Sequence, residues 1–597
     1  MDISRFLLVS LNIDAILQEP TIHRRRRKLR EMKDGLGLGD AYSETIERIK
    51  TQGGEKARLG MAALMRVSHS ERPLAADELC HALAVEIGCT DFNAENILSM
   101  RTLQACCQGL VAVDKESSTV RLIHTTLQEY LSTQLGLFNR AHLTMAEACL
   151  TYLNSQQVKE LSTQPFPSVE NAPFVEYSSV YWGTHAKVGL SDLAKSLALA
   201  LFDQQDAYKY NISARLLLNQ VVGRHDINFL SMFTGLHCAS LFGLVEVAAA
   251  FIEIKGCDVN RRDHTDATPL VWAAKNGHEE VVKLLLGQEH IKPDRLGPAL
   301  RSPLSFAAEN KHEGVVKLLL ERKDSCPGEP SQSGKTPLLY ATENGHEGVV
   351  KLLLEREDVN PNTPANWGHT PLFRAAELRH VEIVKLLLER RDVCPNKPSR
   401  WGETPLLYAI GNSHEEIVKL LLEREDIDPN SPTEWSRAPL SQAARLGHMG
   451  IVKLLLERRD ICPNKPPRWD ETPLLHAIGS GHEEIVKLLL EREDIDLNTP
   501  TDQGQAPLVR AAEFGRVGIV KLLLGRKDVN PDLPDKWGRT PLDSAARRGQ
   551  EEVVKLLLAR SDVNPHRLGL SGQTPLYWAL QNGHEAVVKL LSYTRTG

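Results

Sequence analysis

The chain has 597 residues, 42% hydrophobic and 25% charged, too long for one hydrophobic core and suggestive of several domains or a repeat array. Its net charge of −6 gives no general attraction to nucleic acid or to an anionic membrane. The ten cysteines form no CxxC pair, which fits a reduced intracellular setting, cytoplasmic or alternatively nuclear.

The opening residues 1–17 are apolar, but Asn12 and Asp14 interrupt the run and no small-residue cleavage site follows, so an amphipathic helix is predicted rather than a signal peptide. No stretch reaches the roughly 20 apolar residues of a membrane span, and no membrane partner is expected. His23-Arg24-Arg25-Arg26-Arg27-Lys28-Leu29-Arg30 is the one strong basic block, read as an exposed helix face; a nuclear signal or nucleic-acid contact is the other reading. Apolar segments then predict helices near 41–51, 55–68, 75–86 and 93–107. Two strands, Leu110–Val113 and Val120–Ile123, join through the polar turn Asp114–Thr119, and a helix His124–Leu131 follows. Helices closed by a hairpin predict a winged-helix-like α+β domain over residues 1–135, with Cys106 and Cys107 in its core. A helical connector is predicted for 136–225.

Several motifs here carry a family likeness. Ser70-Glu71-Arg72-Pro73-Leu74, Glu78-Leu79, Gly109-Leu110-Val111, Val120-Arg121-Leu122-Ile123-His124 and Glu129-Tyr130-Leu131 resemble the winged helix after the NACHT nucleotide-binding domain in large NACHT–ankyrin proteins of filamentous fungi. Residues 141–186, with Pro173-Phe174 and Tyr181-Trp182-Gly183-Thr184-His185, resemble the connector of those proteins. The resemblance implies a nucleotide-binding module upstream, yet the chain carries no phosphate loop. Gly334-Lys335-Thr336 follows Gly328 at one residue too many, and it falls on a repeat anchor. The chain thus resembles the back half of a signalling NTPase, shortened as a gene or read from a misassigned start.

From residue 226 to the end a 34-residue period governs the sequence. Thr268-Pro269-Leu270 returns at 336, 370, 404, 472, 540 and 574, and as Ser302-Pro303-Leu304, Ala438-Pro439-Leu440 and Ala506-Pro507-Leu508, with a degenerate copy, Thr234-Gly235-Leu236, one period earlier. Thr268 can cap a helix, and Pro269 suits its first turn. Gly277 permits the left-handed residue that stops it. His278-Glu279-Glu280 opens a second helix, whose flank is Val281, Val282, Leu284, Leu285 and Leu286. The threonine–proline–leucine triplet, paired alanines, Gly-His and Val-Val-Lys-Leu-Leu-Leu together resemble the ankyrin repeat. The fold expected is mostly α: a solenoid of eleven helix–turn–helix–hairpin units over 226–597. Two departures stand out. The histidine usual after the triplet survives only as His237, and charged runs such as Glu355-Arg356-Glu357-Asp358 replace the usual glycine after helix two. The last helix, Lys589-Leu590-Leu591-Ser592-Tyr593, reads as a shortened polar cap.

A 68-residue period overlies the first: residues 391–430 nearly repeat at 459–498, and Cys326, Cys394 and Cys462 keep that step, too far apart to bridge. Two rows are candidate partner-binding positions. Before each constant alanine stand Trp272, Phe306, Tyr340, Arg374, Tyr408, Gln442, His476, Arg510, Ser544 and Trp578, where ankyrin proteins present their concave groove. Near the hairpin tips stand Trp367, Trp401, Trp435, Trp469 and Trp537, with Gln503 at the equivalent site; packing between hairpins is the alternative role of these rings.

The His-Glu pairs at 278, 312, 346, 414 and 482 lack a second ligand four residues on, where valine stands, so no zinc motif is present. No catalytic, cofactor or metal site and no small-molecule substrate is expected. The expected function is a non-catalytic protein–protein interaction scaffold, a recognition module of a fungal signalling or innate-immunity-like protein. The alternatives are the regulatory fragment of a NACHT signalling NTPase, or a winged-helix transcription-associated factor.

Overall fold

The structure is a computed structural model that describes residues 20–33, 38–89, 91–134, 136–161, 169–202, 212–222, 232–431, 438–464, 471–498, 500–501 and 504–593. The chain divides into two compact units: Met1–Ala307 with Glu321–Ser325, and Ala308–Leu320 with Cys326–Gly597.

The first unit opens with α1 (Ile22–Lys33), α2 (Leu38–Thr51) and α3 (Gly54–His69), then β1 (Leu74–Ala75), α4 (Ala76–Ala84), α5 (Met100–Cys106), β2 (Val111–Val113), β3 (Thr119–Leu122) and α6 (Thr125–Thr133). The predicted helix over 93–107 is a short 3-10 turn, Ala94–Asn96, followed by α5, each capped by a side-chain oxygen (Asn93, Ser99) that offers the chain a fresh start. A three-stranded antiparallel sheet in the order β1-β3-β2 completes a winged helix. Two-residue β1, paired as Leu74 with Val120, is too short to show alternation and was not legible in the sequence. Leu64, Leu79, Leu103, Leu110 and Leu127 fill the core, with Cys106 and Cys107 among them. Gly60 lets α3 meet the end of α5: a Cβ there would stand 2.6 Å from the Cys106 carbonyl oxygen.

The connector helices α7 (Ala141–Asn154), α8 (Gln156–Leu161), α9 (Phe174–Val188), α10 (Asp192–Phe202) and α11 (Ile212–Val222) follow. Trp182 of α9 packs at 5.4 Å, edge to face, on Phe242 of the first repeat, and Phe202 of α10 approaches Phe251. Those aromatics cover the apolar face that a first repeat has no preceding sibling to bury. The winged helix and the connector meet through Arg72. Its guanidinium forks onto the Glu78 carboxylate at 2.6 and 2.7 Å and lies over the Tyr177 ring of α9.

In both units the repeat is a pair of antiparallel helices. Pro269–Lys275 and Glu279–Leu286 form one pair in the first unit; Pro405–Gly411 and Glu415–Leu422 form another in the second. Val281, Val282, Leu285 and Leu286 are buried, while Leu284 is half-buried because the helix turns it toward the flank of Lys283. The last helix, Glu585–Tyr593, has nine residues and is not shortened, and Tyr577, Leu580 and Tyr593 are exposed beside it. The expected polar cap is therefore not what the fold builds. Leu591 does turn inward, while Tyr593 at the end of the same helix stays exposed.

Candidate functional site

Each repeat is fixed by caps. The Thr268, Thr336, Thr370, Thr404, Thr472, Thr540 and Thr574 hydroxyls accept the backbone N–H three residues on; Ala438 and Ala506 offer no such bond. Histidines that follow the turn glycine, His278 and His346 of the half zinc motif among them, reach backwards instead. His278 Nε2 lies 2.9 Å from the Leu241 carbonyl oxygen, His346 Nε2 2.8 Å from that of Glu309, and His584 Nε2 3.1 Å from that of Arg547. Each imidazole thus satisfies a carbonyl at the end of the preceding repeat's first helix.

The charged runs that replace the usual glycine form a second ladder, which the sequence reading treated only as a departure. Arg356 forks onto Asp358 through Nε and Nη2, and its Nη1 donates to the Leu320 carbonyl at 2.7 Å. Arg390, Arg424, Arg458, Arg492, Arg526 and Arg560 repeat this on Leu354, Leu388, Leu422, Leu456, Leu490 and Leu524. The cation thereby closes the negative end of the previous repeat's second helix. Asparagines make a third ladder. Asn396 donates to the Asp426 carbonyl at 2.6 Å and accepts the Asp428 N–H at 2.8 Å; Asn362 and Asn430 do the same one repeat before and after. The signal was present as Arg-x-Asp and Asn at the 34-residue step, but only adjacency in space shows which carbonyls they meet.

With the framework held this way, the row before the constant alanine splits. Trp272, Phe306, Tyr340 and Ser544 are buried. The Trp272 indole N–H donates to Asp263 at 2.8 Å, Arg301 lies 4.0 Å above the Phe306 ring, and the Tyr340 hydroxyl donates to Ser331 at 3.2 Å. Arg374, Tyr408, Gln442, His476, Arg510 and Trp578 are half-buried. In the second unit they sit in an acidic and basic mesh. Glu343 accepts from Lys335 and Arg374, and Arg374 also pairs with Glu377. Arg510 reaches Glu471, and Arg548 reaches Glu513. Burial, and then Glu377, raise the Tyr408 phenol above its usual value.

The tryptophan row stands out from the surface. Trp367, Trp401 and Trp537 are 57%, 53% and 43% exposed. Arg400 of the next hairpin lies 5.9 Å from the Trp367 ring centre, and Lys536 and Arg539 each lie 4.5 Å from that of Trp537. Cations lean on the Trp367 and Trp537 rings, yet about half of each of the three tryptophans faces solvent. Trp435, Trp469 and Gln503 lie outside the described residues. These aromatic faces stand on hairpins bridged to their neighbours by the arginine and asparagine ladders.

Among the described residues no helix is long and apolar enough to cross a membrane. A search of curated proteins finds no match. A family model described as GPI inositol-deacylase, winged helix domain, matches residues 47–140, the segment that contains the three-stranded sheet. A model described as ankyrin repeats matches residues 205–296, 294–365, 349–433, 393–466, 440–535 and 519–596, more than half of the chain. Helix pairs, caps and inter-repeat ladders agree with that match, and the chain belongs to the ankyrin-repeat proteins.

Proposed function

We propose that this protein is a non-catalytic scaffold that binds a protein partner through the second unit. The observation that carries the reading is the exposure of Trp367, Trp401 and Trp537 on hairpins bridged by the asparagine and arginine ladders. Exposed, pre-ordered indoles lose little conformational entropy on binding and bury large areas, the properties of hot-spot residues. The half-buried row Arg374, Tyr408, Gln442, His476 and Arg510 supplies charge and hydrogen bonding beside them. The buried Trp272, Phe306 and Tyr340 act in this reading as support for the repeats.

The finer role is a recognition module of a signalling protein of the fungal NACHT–ankyrin kind, with the winged helix and connector as its regulatory part. The winged-helix match over 47–140 beside an ankyrin array favours this arrangement. The deacylase in that model's description names the proteins in which the domain is found; the reading places no such activity here. The test is affinity capture with the full chain and with a Trp367→Ala/Trp401→Ala/Trp537→Ala variant. A partner retained by the wild type and lost by at least tenfold in the variant, at unchanged helicity, supports the reading; equal retention by both overturns it.

A further inference from the structure

The junction between winged helix and connector holds a cluster of metal-ligating side chains that the repeat architecture does not use. Glu71 lies in the turn between α3 and β1, His142 on the first turn of α7, and His185 on the last turn of α9. One ligand atom from each lies within 4.8 Å of the others. We propose that Glu71, His142 and His185 bind a transition-metal dication of the Zn2+ class, which clamps the winged helix to the connector.

The geometry of the two imidazoles carries the argument. His142 Nδ1 and His185 Nδ1 face each other at 2.8 Å. The far nitrogen of His185, Nε2, lies 2.9 Å from the Tyr177 hydroxyl, which also accepts the Glu71 N–H at 3.0 Å. With Nε2–H donated to Tyr177, the His185 Nδ1 lone pair points at His142. This is the outer-shell bond that fixes the tautomer of a metal-binding histidine. The two Nδ1 atoms share a single proton in this hydrogen bond; a dication bound by both would use both lone pairs. Zinc–nitrogen bonds of about 2.0–2.1 Å set two tetrahedral ligands roughly 3.3 Å apart, so the pair need open by only about half an ångström.

The surroundings suit a fixed site. His185 is fully buried, and the His69 ring packs edge-on against His142 with centres 5.5 Å apart. Glu71 is exposed, so its carboxylate is free to swing onto the ion. Two nitrogens and one oxygen select Zn2+, Co2+ or their neighbours over Mg2+ and Ca2+, which prefer oxygen alone. Three protein ligands leave the fourth position to water. By contrast, His278, His346 and His584 each turn Nε2 to a backbone carbonyl.

The experiment uses the full chain, stripped of metal and dialysed against ZnCl2, with bound zinc measured per chain and Co2+ substituted for its visible spectrum. One Zn2+ per chain, a tetrahedral Co2+ spectrum without thiolate charge transfer, and a melting temperature raised by Zn2+ are expected. Glu71→Gln, at an exposed position that leaves folding intact, weakens binding by about tenfold or more, and His142→Gln abolishes it. If His142→Gln fails to fold, the Glu71→Gln titration decides alone. Absence of stoichiometric zinc means a hydrogen-bonded histidine pair only and overturns the proposal; so does zinc bound equally by wild type and Glu71→Gln, or a thiolate band from the cysteines.

Discussion

Lys311, Arg379 and Ser413 hold φ at 62°, 60° and 59°, at the step where Gly277, Gly345 and Gly447 end their helices at 73°, 71° and 80°. A Cβ in the left-handed region meets the following carbonyl, at a cost of roughly 1–2 kcal/mol. Glycine removes that strain but gains freedom in the unfolded chain, so Arg379→Gly or Ser413→Gly is expected to stabilise by only about 0.5–1 kcal/mol. Urea unfolding checks it, and a loss of stability would show that the side chain holds something more valuable than the strain it causes. His237 gives a pH dependence. Burial lowers its imidazole to about 4, while Nδ1 caps the Thr234 N–H and Nε2 faces the Arg261 carbonyl. The unfolded chain therefore takes up this proton first. Its contribution is complete above about pH 6.5 and is lost as pH falls toward the folded value, on the order of 3 kcal/mol in all. Burial lowers His185 likewise to about 4, with His142 and His69 adding to it, and acts in the same window. Urea midpoints that fall between pH 7 and 5 for the wild type, with a shallower fall for His237→Gln, are expected.

Between neighbouring repeats the bonds are redundant but not equivalent. Arg390 pairs with Asp392, whose side chain is about half exposed, and such pairs contribute little in water. The stronger element is the cap on Leu354 and Arg356, whose carbonyls receive Arg390 Nη1 at 2.7 and 3.1 Å. Asn396 joins two hairpins by donating and accepting backbone bonds at once. Asn396→Ala is thus expected to cost about 1–2 kcal/mol, and Asp392→Ala no more than about 0.5–1 kcal/mol, by chemical denaturation of the full chain. Equal losses would mean that the exposed ion pair, and not the backbone bridge, joins the hairpins.

The molecule divides into two compact units, and the repeats in each are stabilised chiefly by neighbour-to-neighbour packing. In the second unit Ile417, Val418, Leu421 and Ala409 are all buried within one repeat and its flanks. Leu421→Ala is expected to cost about 2–5 kcal/mol. Hydrogen exchange should rise in residues 370–464, the repeat and its two siblings, and little elsewhere. Uniform acceleration across both units would contradict the nearest-neighbour picture. Binding and stability are separable at this scale, because the exposed indoles of Trp367 and Trp401 lie off the core that Leu421 belongs to.

The 34-residue step, the capping threonines and the apolar flank of helix two determined the ankyrin array without coordinates, since a periodic pattern and local capping need only neighbours in sequence. The β2–β3 hairpin of the winged helix was likewise readable in outline. What required the tertiary structure were the contacts made across one period or more. The fate of Trp272 and Tyr340, buried against Asp263 and Ser331, depends on what the adjoining turn offers them. The carbonyls met by Arg390 and Asn396 belong to other repeats. The meeting of Glu71, His142 and His185 joins three elements that no spacing rule connects. Local sequence sets which helices form and where they stop, but burial and partnership are properties of surfaces brought together, and those exist only in the folded chain.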